Sequence, residues 1–224
     1  KYENVRQVAM VDANGIVANH TGSKAIIAHC DQLGVNYSVQ ANLMEKDSVC
    51  AAMANAFETT QADLAGRMMA ALEAAQAEGG DIRGKQSAAL LVVKGNKETP
   101  LWKGRVFDLR IEDHATPILE MKRLLHLARG YNKMTEGDDF MTENKVEEAL
   151  AAYTEAEQMM PDNHEAIFWH AATLAAIDRV DESLPLFKKA FAMHPPWAEL
   201  VTRLPNSGLL PDDKILMETI LSVK

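Results

Sequence analysis

Short strands and two amphipathic helices followed by a wholly helical stretch predict an α+β fold class, with an all-α domain behind the sheet-bearing one. Three observations carry this. Apolar or β-branched runs at residues 5–11, 87–93 and 106–111 have strand length and strand character. Residues 47–76 between them repeat apolar side chains at helical spacing. From Pro117 onward the helical spacing continues without a further strand. The expected domains are 1–115 and 116–224.

Residues 5–11 read as the first strand. Asp12-Ala13-Asn14-Gly15 follows, and Asn-Gly between apolar runs is a strong hairpin signal, so residues 16–20 are the return strand. Residues 36–40 suggest another short strand that runs into Ala41 and Asn42. A helix is expected from Asp47, capped by Asp47 or Ser48, with Val49, Met53, Ala56 and Phe57 on its apolar face. A second is expected over residues 60–76, with Leu64, Met68, Ala71, Leu72 and Ala75 inward, and Gly79-Gly80 stops it. Residues 87–93 become continuously apolar after Ser87 and read as a strand buried on both faces. Gly95-Asn96-Lys97 reads as a turn, and residues 106–111 alternate like a strand with one polar face.

Pro117 suits a first helical turn, with Thr116 as its cap. Residues 164–197 fit a tetratricopeptide-like pattern: Ile167, His170, Ala171 and Leu174, then Ser183, Phe187 and Ala190, then Pro195 as terminator. A preceding unit has Leu124, Leu127, Ala128 and Tyr131, then Ala149, Tyr153, Ala156 and Pro161, with an expected long loop over residues 134–144. Residues 197–224 read as a helical cap. A peptide-binding groove and a packing module are both consistent with so short an array.

Composition narrows the function. The 224 residues carry 47% hydrophobic and 25% charged side chains and a net charge of −9. Nucleic acids and anionic membranes are recognised by clustered Lys and Arg, so neither is an expected partner. No apolar run approaches the length needed to span a bilayer. Cys30 and Cys50 are too few for a disulfide framework, and a reducing cytoplasm is the expected setting. The seven histidines are scattered without zinc-type spacing, so no metal is expected, nor any other cofactor. A Gly-x-Ser-x-Gly elbow is absent.

Polar clusters interrupt the apolar framework. His20, Thr21 and Gly22 close the return strand. Gln40 and Asn42 offer side-chain amides that can polarise a carbonyl or hold an oxyanion. The densest cluster is residues 79–87, where Asp81, Arg83, Gln86 and Ser87 precede an apolar strand. Asp81 and Arg83 can pair to shape the loop, or Arg83 can grip a substrate carboxylate with its planar fork. Asp108-Leu109-Arg110 places two charges on one strand face, and Asp113-His114 precedes the helix at Pro117.

The stretches Arg6 to Asp12, His20-Thr21-Gly22, Tyr37 to Asn42, Met53 to Glu58 and Gly79 to Val92 resemble a bacterial family catalogued as domain of unknown function 1028. Asp108-Leu109-Arg110 and Asp113-His114 fit its last strand, so the resemblance covers about residues 5–125. It implies a share of the αββα sandwich of N-terminal-nucleophile (Ntn) hydrolases, whose relatives hydrolyse amide bonds through an N-terminal Thr, Ser or Cys. Family members carry a further segment before the Arg6-Gln7 motif, with the candidate nucleophile at its start. This segment is expected to be missing here, and Lys1 lacks the hydroxyl or thiol for that part. The family also has Gly where this chain has Ala41, a strained choice if the position needs a positive φ.

Two functions follow as expectations. One is hydrolysis of a small amide or peptide bond, with Asn42, Gln40 and His20 as catalytic candidates and Thr21, Asp81, Arg83, Gln86 and Ser87 binding the substrate. The alternative is a non-catalytic module that binds a ligand in that pocket or a protein through the helical repeats. A homodimer is expected, because a partial sandwich leaves an apolar sheet face exposed.

Overall fold

The computed structural model describes residues 2–96 and 100–224, with the backbone alone at Leu101. The chain has the mixed α+β character predicted, with a helical C-terminal region. It divides into two compact units, Lys1–Leu125 and His126–Lys224, a division that falls within a helix rather than between 115 and 116.

The strands of unit 1 form three separate antiparallel pairs. After a one-turn 3-10 segment, β1 (Gln7–Val11) pairs with β2 (Val17–Thr21), with Val11 opposite Val17. Asp12 shapes the turn between them: its carboxylate accepts from the backbone amides of Asn14 and Ile16 at 2.9 and 2.8 Å. The second pair is β3 (Cys30–Gly34) with β4 (Tyr37–Ala41), and the third is β5 (Ala88–Val93) with β6 (Arg105–Ile111). β3 has no counterpart in the sequence reading. Its residues, Cys-Asp-Gln-Leu-Gly, show no alternation, and its strand form comes from the ladder that β4 supplies.

β5 departs from the doubly buried strand expected. Leu90 is 1% exposed, but Leu91 and Val93 are 54% and 58% exposed. A continuous apolar run names no inward face; here one face packs towards the helices and nothing described covers the other. β6 alternates as predicted. Phe107 and Ile111 are buried, while Asp108 on the opposite side pairs with Arg105 and Arg110 at 3.0 and 3.2 Å.

The helices α1 (Val49–Thr59) and α2 (Leu64–Ala77) pack against one another, and α1 covers the second hairpin. Val39, Ala41, Val49, Cys50 and Ala54 form that core. Ser48 holds the expected cap position of α1 but makes no capping bond; its hydroxyl donates to Glu78 instead. Asp63 caps α2 by accepting from the Gly66 amide at 2.8 Å, which starts this helix later than the apolar spacing suggested. Gly79 and Gly80 end α2 with φ of 112° and 74°, a backbone that side-chain-bearing residues rarely adopt. The turn expected at Gly95-Asn96-Lys97 reaches Lys97, outside the described residues. Beyond it, the single turn α3 (Leu101–Gly104) leads into β6.

The two cysteines correct the sequence reading. Cys30 on β3 and Cys50 on α1 form a disulfide, with their Cα atoms 5.9 Å apart. The pairing needs β3 and α1 to meet across the core, which a count of cysteines does not reveal. It also removes either sulfur as a free nucleophile.

From α4 (Pro117–Thr142) onward the structure is helical. The long loop expected at 134–144 is largely α4 itself. Gly137 lies inside the helix, where the Tyr153 ring rests on it; a Cβ there would meet that ring at 2.6 Å. In unit 2, α5 (Val146–Met159), α6 (His164–Ala176) and α7 (Val180–Met193) follow, with α8 (Trp197–Val201) and α9 (Lys214–Leu221) behind them. Ile167, Phe168, Ala171, Phe187 and Ala190 are fully or almost fully enclosed, so the small residues do permit close helix approach. No helix among the described residues is long and apolar enough to cross a membrane.

Candidate ligand-binding site

The sequence-predicted site residues fall into two clusters of unit 1, and two of them fall in neither. The first cluster is built on Gln7, at the start of β1. Its Nε2 donates to Thr21 Oγ1 at 3.1 Å and to the carbonyls of Cys30 and Ala41 at 3.1 and 3.2 Å. Its Oε1 accepts from Asn42 Nδ2 at 2.9 Å. Thr21 donates onward to Asp31, which also accepts from Asn19 at 2.9 Å. One amide thus ties both hairpins to Thr21 and Asn42. His20 and Gln40 stand apart. His20 follows strand alternation to the face opposite Thr21 and contacts the Glu3 carbonyl at 3.0 Å. Gln40 points away from buried Val39 and Ala41 and accepts from Ser38 at 2.8 Å.

Ala41 carries no positive φ; it ends β4 in extended form. The left-handed backbone falls on Leu43, φ 58°, and Ala28, φ 60°. A non-glycine residue there costs about 1–2 kcal/mol. Surrounding bonds hold the bend: Met44 N donates to Ala28 O at 3.0 Å and Ile82 N to Leu43 O at 2.9 Å. The bend delivers the chain from Asn42 to the 79–87 loop, where Met44 and Asp81 form a β-bridge.

That loop lines the second cluster, a cavity of about 540 Å³ walled by Gln76, Asp81, Arg83, Lys85, Gln86, Ser87 and Asp113, with Pro117 and Ile118 at one side. Arg83 donates from its backbone N and its Nε to Asp81 Oδ1 at 2.8 and 2.9 Å, and from Nη2 to Oδ2 at 2.6 Å. The hydrogen bonds from Arg83 hold the Asp81 carboxyl below the ordinary carboxylate range, against a smaller upward pull from burial. The pair shapes the loop, and the remaining N–H groups of the fork stay available. Lys85 and Asp113, a cation and an anion on the same cavity, have no partner among the described residues. Gln86 is anchored by its carbonyl, which accepts from His114 N at 2.8 Å, so its amide is free to turn inward. No group of three metal-ligating side chains occurs among the described residues.

Sequence reasoning missed Gln7 and Asp31 as parts of these clusters, placed Lys85 in the 79–87 cluster without a binding role, and set Asp113 in a cluster of its own. Gln7 had a signal, an amide set at the head of an apolar strand. Asp31 had none, because β3 itself was not legible.

The profile of a family of unknown function, DUF1028, matches residues 1–121. The chain belongs to this family. A solved structure of a DUF1028 protein from Silicibacter pomeroyi is 31% identical, with a TM-score of 0.47, over 55% of this chain and 50% of the other. The chain therefore spans about half the length of that relative. No curated protein matches it.

Proposed function

We propose that the cavity beside the 79–87 loop binds a small zwitterionic amide, such as a dipeptide, and that the reaction is Ntn-type hydrolysis of its amide bond. The observation that carries the binding half is charge of both signs on one cavity wall: Lys85, with the N–H groups that Arg83 does not spend on Asp81, for a carboxylate, and Asp113 for an ammonium. Gln86 and Ser87 line the same cavity and suit the polar amide. Hydrolysis rests on the resemblance to Ntn hydrolases alone; Asn42, the oxyanion candidate of that resemblance, donates to Gln7 and does not line the cavity. The nucleophile of that mechanism is assigned to no residue of this chain. The competing reading, ligand binding without turnover, shares the same pocket.

Calorimetric titration of the protein with alanyl-alanine tests the binding half, and assay for released alanine tests whether any group of this chain attacks the amide. Saturable binding that Arg83→Ala weakens about tenfold supports the site. Binding without release leaves the non-catalytic reading, and no binding overturns both.

The disulfide supports an oxidising compartment over the cytoplasm first expected. The homodimer remains our proposal, supported by exposed Val8, Met10, Leu91 and Val93 on sheet faces of unit 1. A single monomeric mass by light scattering sinks it. The helical hairpins of unit 2 fit a tetratricopeptide-like array, whose groove offers a second binding surface.

A further inference from the structure

Unit 2 has a cavity of its own, an open groove of about 650 Å³ lined by α4, α5 and α6 together with Gly208 and Leu209. Three aromatic residues line it: Tyr131 from α4, Tyr153 from α5 and Trp169 from α6. Met134 and Met141 add polarisable thioethers. Two carboxylates stand among these rings. Asp138 accepts from the Tyr153 hydroxyl at 2.6 Å, and Glu165 accepts from the Tyr131 hydroxyl at 2.7 Å.

The charge on this wall is one-sided. The lining residues include no Lys, Arg or His, and neither carboxylate has a cationic partner among the described residues. Several other acids of unit 2 do have one: Glu147 and Glu182 pair with Arg179, Glu155 with Lys133, and Glu199 with Arg203. Each tyrosine hydroxyl spends its proton on a carboxylate, which fixes the ring and leaves the anion with further lone pairs. Aromatic faces carry negative charge density, and with the two anions they make a surface complementary to a cation rather than to an anion or a neutral sugar. Gly137 fits this design, since the absence of a side chain there lets the Tyr153 ring lie against α4.

We propose that this groove binds an organic ammonium ion, its alkyl groups on Tyr131 and Trp169 and its charge met by Asp138 and Glu165, with buried Tyr153 holding Asp138 in place from behind. The ligand class is an alkylated amine, small enough to lie between the rings and without an acidic group of its own. The site is independent of the cavity in unit 1.

The test uses the full chain, choline as the cationic probe and 3,3-dimethylbutanol as its uncharged isostere, with calorimetry as the readout. Choline should bind saturably and the isostere should not. The double variant Asp138→Asn with Glu165→Gln should weaken choline about tenfold while the melting temperature stays near wild type. Should that variant unfold, Trp169→Leu provides the second test, with the same loss expected from the missing ring. Equal binding of choline and its isostere would reduce the groove to an apolar patch and overturn the proposal. So would an absence of choline binding, or binding of a lysine-bearing peptide alone, which would assign the groove to a protein segment.

Discussion

Replacing both cysteines, Cys30→Ala with Cys50→Ala, tests how much of unit 1 depends on the disulfide. The bridge closes a loop with a sequence separation of 20. Constraining a loop of that size removes about 11 cal/mol/K of unfolded-state entropy, so about 3 kcal/mol is lost near room temperature. Local packing adds little, because two alanines fit where Cys50 is already enclosed by Val49 and Ala54. For a unit of this size the loss lowers the melting temperature by about 10 °C. Differential scanning calorimetry should show one transition falling while that of unit 2 stays in place. The same shift should appear when wild-type protein is reduced with dithiothreitol. An unchanged transition, or two reactive thiols in the denatured but unreduced protein, would refute the reasoning. The second result would also return the chain to the reducing setting expected at first.

Three further predictions follow from the contacts described. Gln7→Ala strips a half-buried amide from Thr21, Asn42 and two strand carbonyls and should cost about 1–3 kcal/mol in urea denaturation; a loss near zero would demote it from hub to bystander. Asp81 has its pKa lowered in the fold, so its contribution is fully present above the reference value of 3.8 and fades as pH falls through the lower folded value. The melting-temperature gap between wild type and Asp81→Asn should therefore be constant near neutrality and narrow below that pH, and a gap that widens in acid would contradict the Arg83 pairing. Phe187→Ala empties a position with no exposure in the helical core and should destabilise unit 2 by about 3–5 kcal/mol, read as a drop in its own transition.

The α+β order was legible because the strong elements carry their own periodicity. β6 alternates, and Phe107 and Ile111 are inward as that pattern requires. Asp12 and Gly15 announce a hairpin by chemistry local to the turn. What stayed hidden depends on partners distant in sequence. β3 is a strand through β4, the disulfide needs β3 and α1 in contact, and the room that Gly137 leaves is filled by the Tyr153 ring from another helix. The same division holds at the site. Asp81, Arg83, Gln86 and Ser87 lie within one short loop and were readable together. Asn42 and Thr21 meet only through Gln7, and strand alternation sends His20 and Gln40 elsewhere. Asp113 joins the cavity from beyond β6, a juxtaposition made by the fold alone.

The binding proposal is tested most directly by mapping where a zwitterionic amide lands. Amide resonances of the nitrogen-15-labelled chain, followed during titration with alanyl-alanine, should move for Gln76, for residues 81–87 and for Asp113, and saturate together. Shifts confined to Gln7, Thr21 and Asn42, or no saturable shift in unit 1, would contradict the assignment of the cavity to Arg83, Lys85 and Asp113.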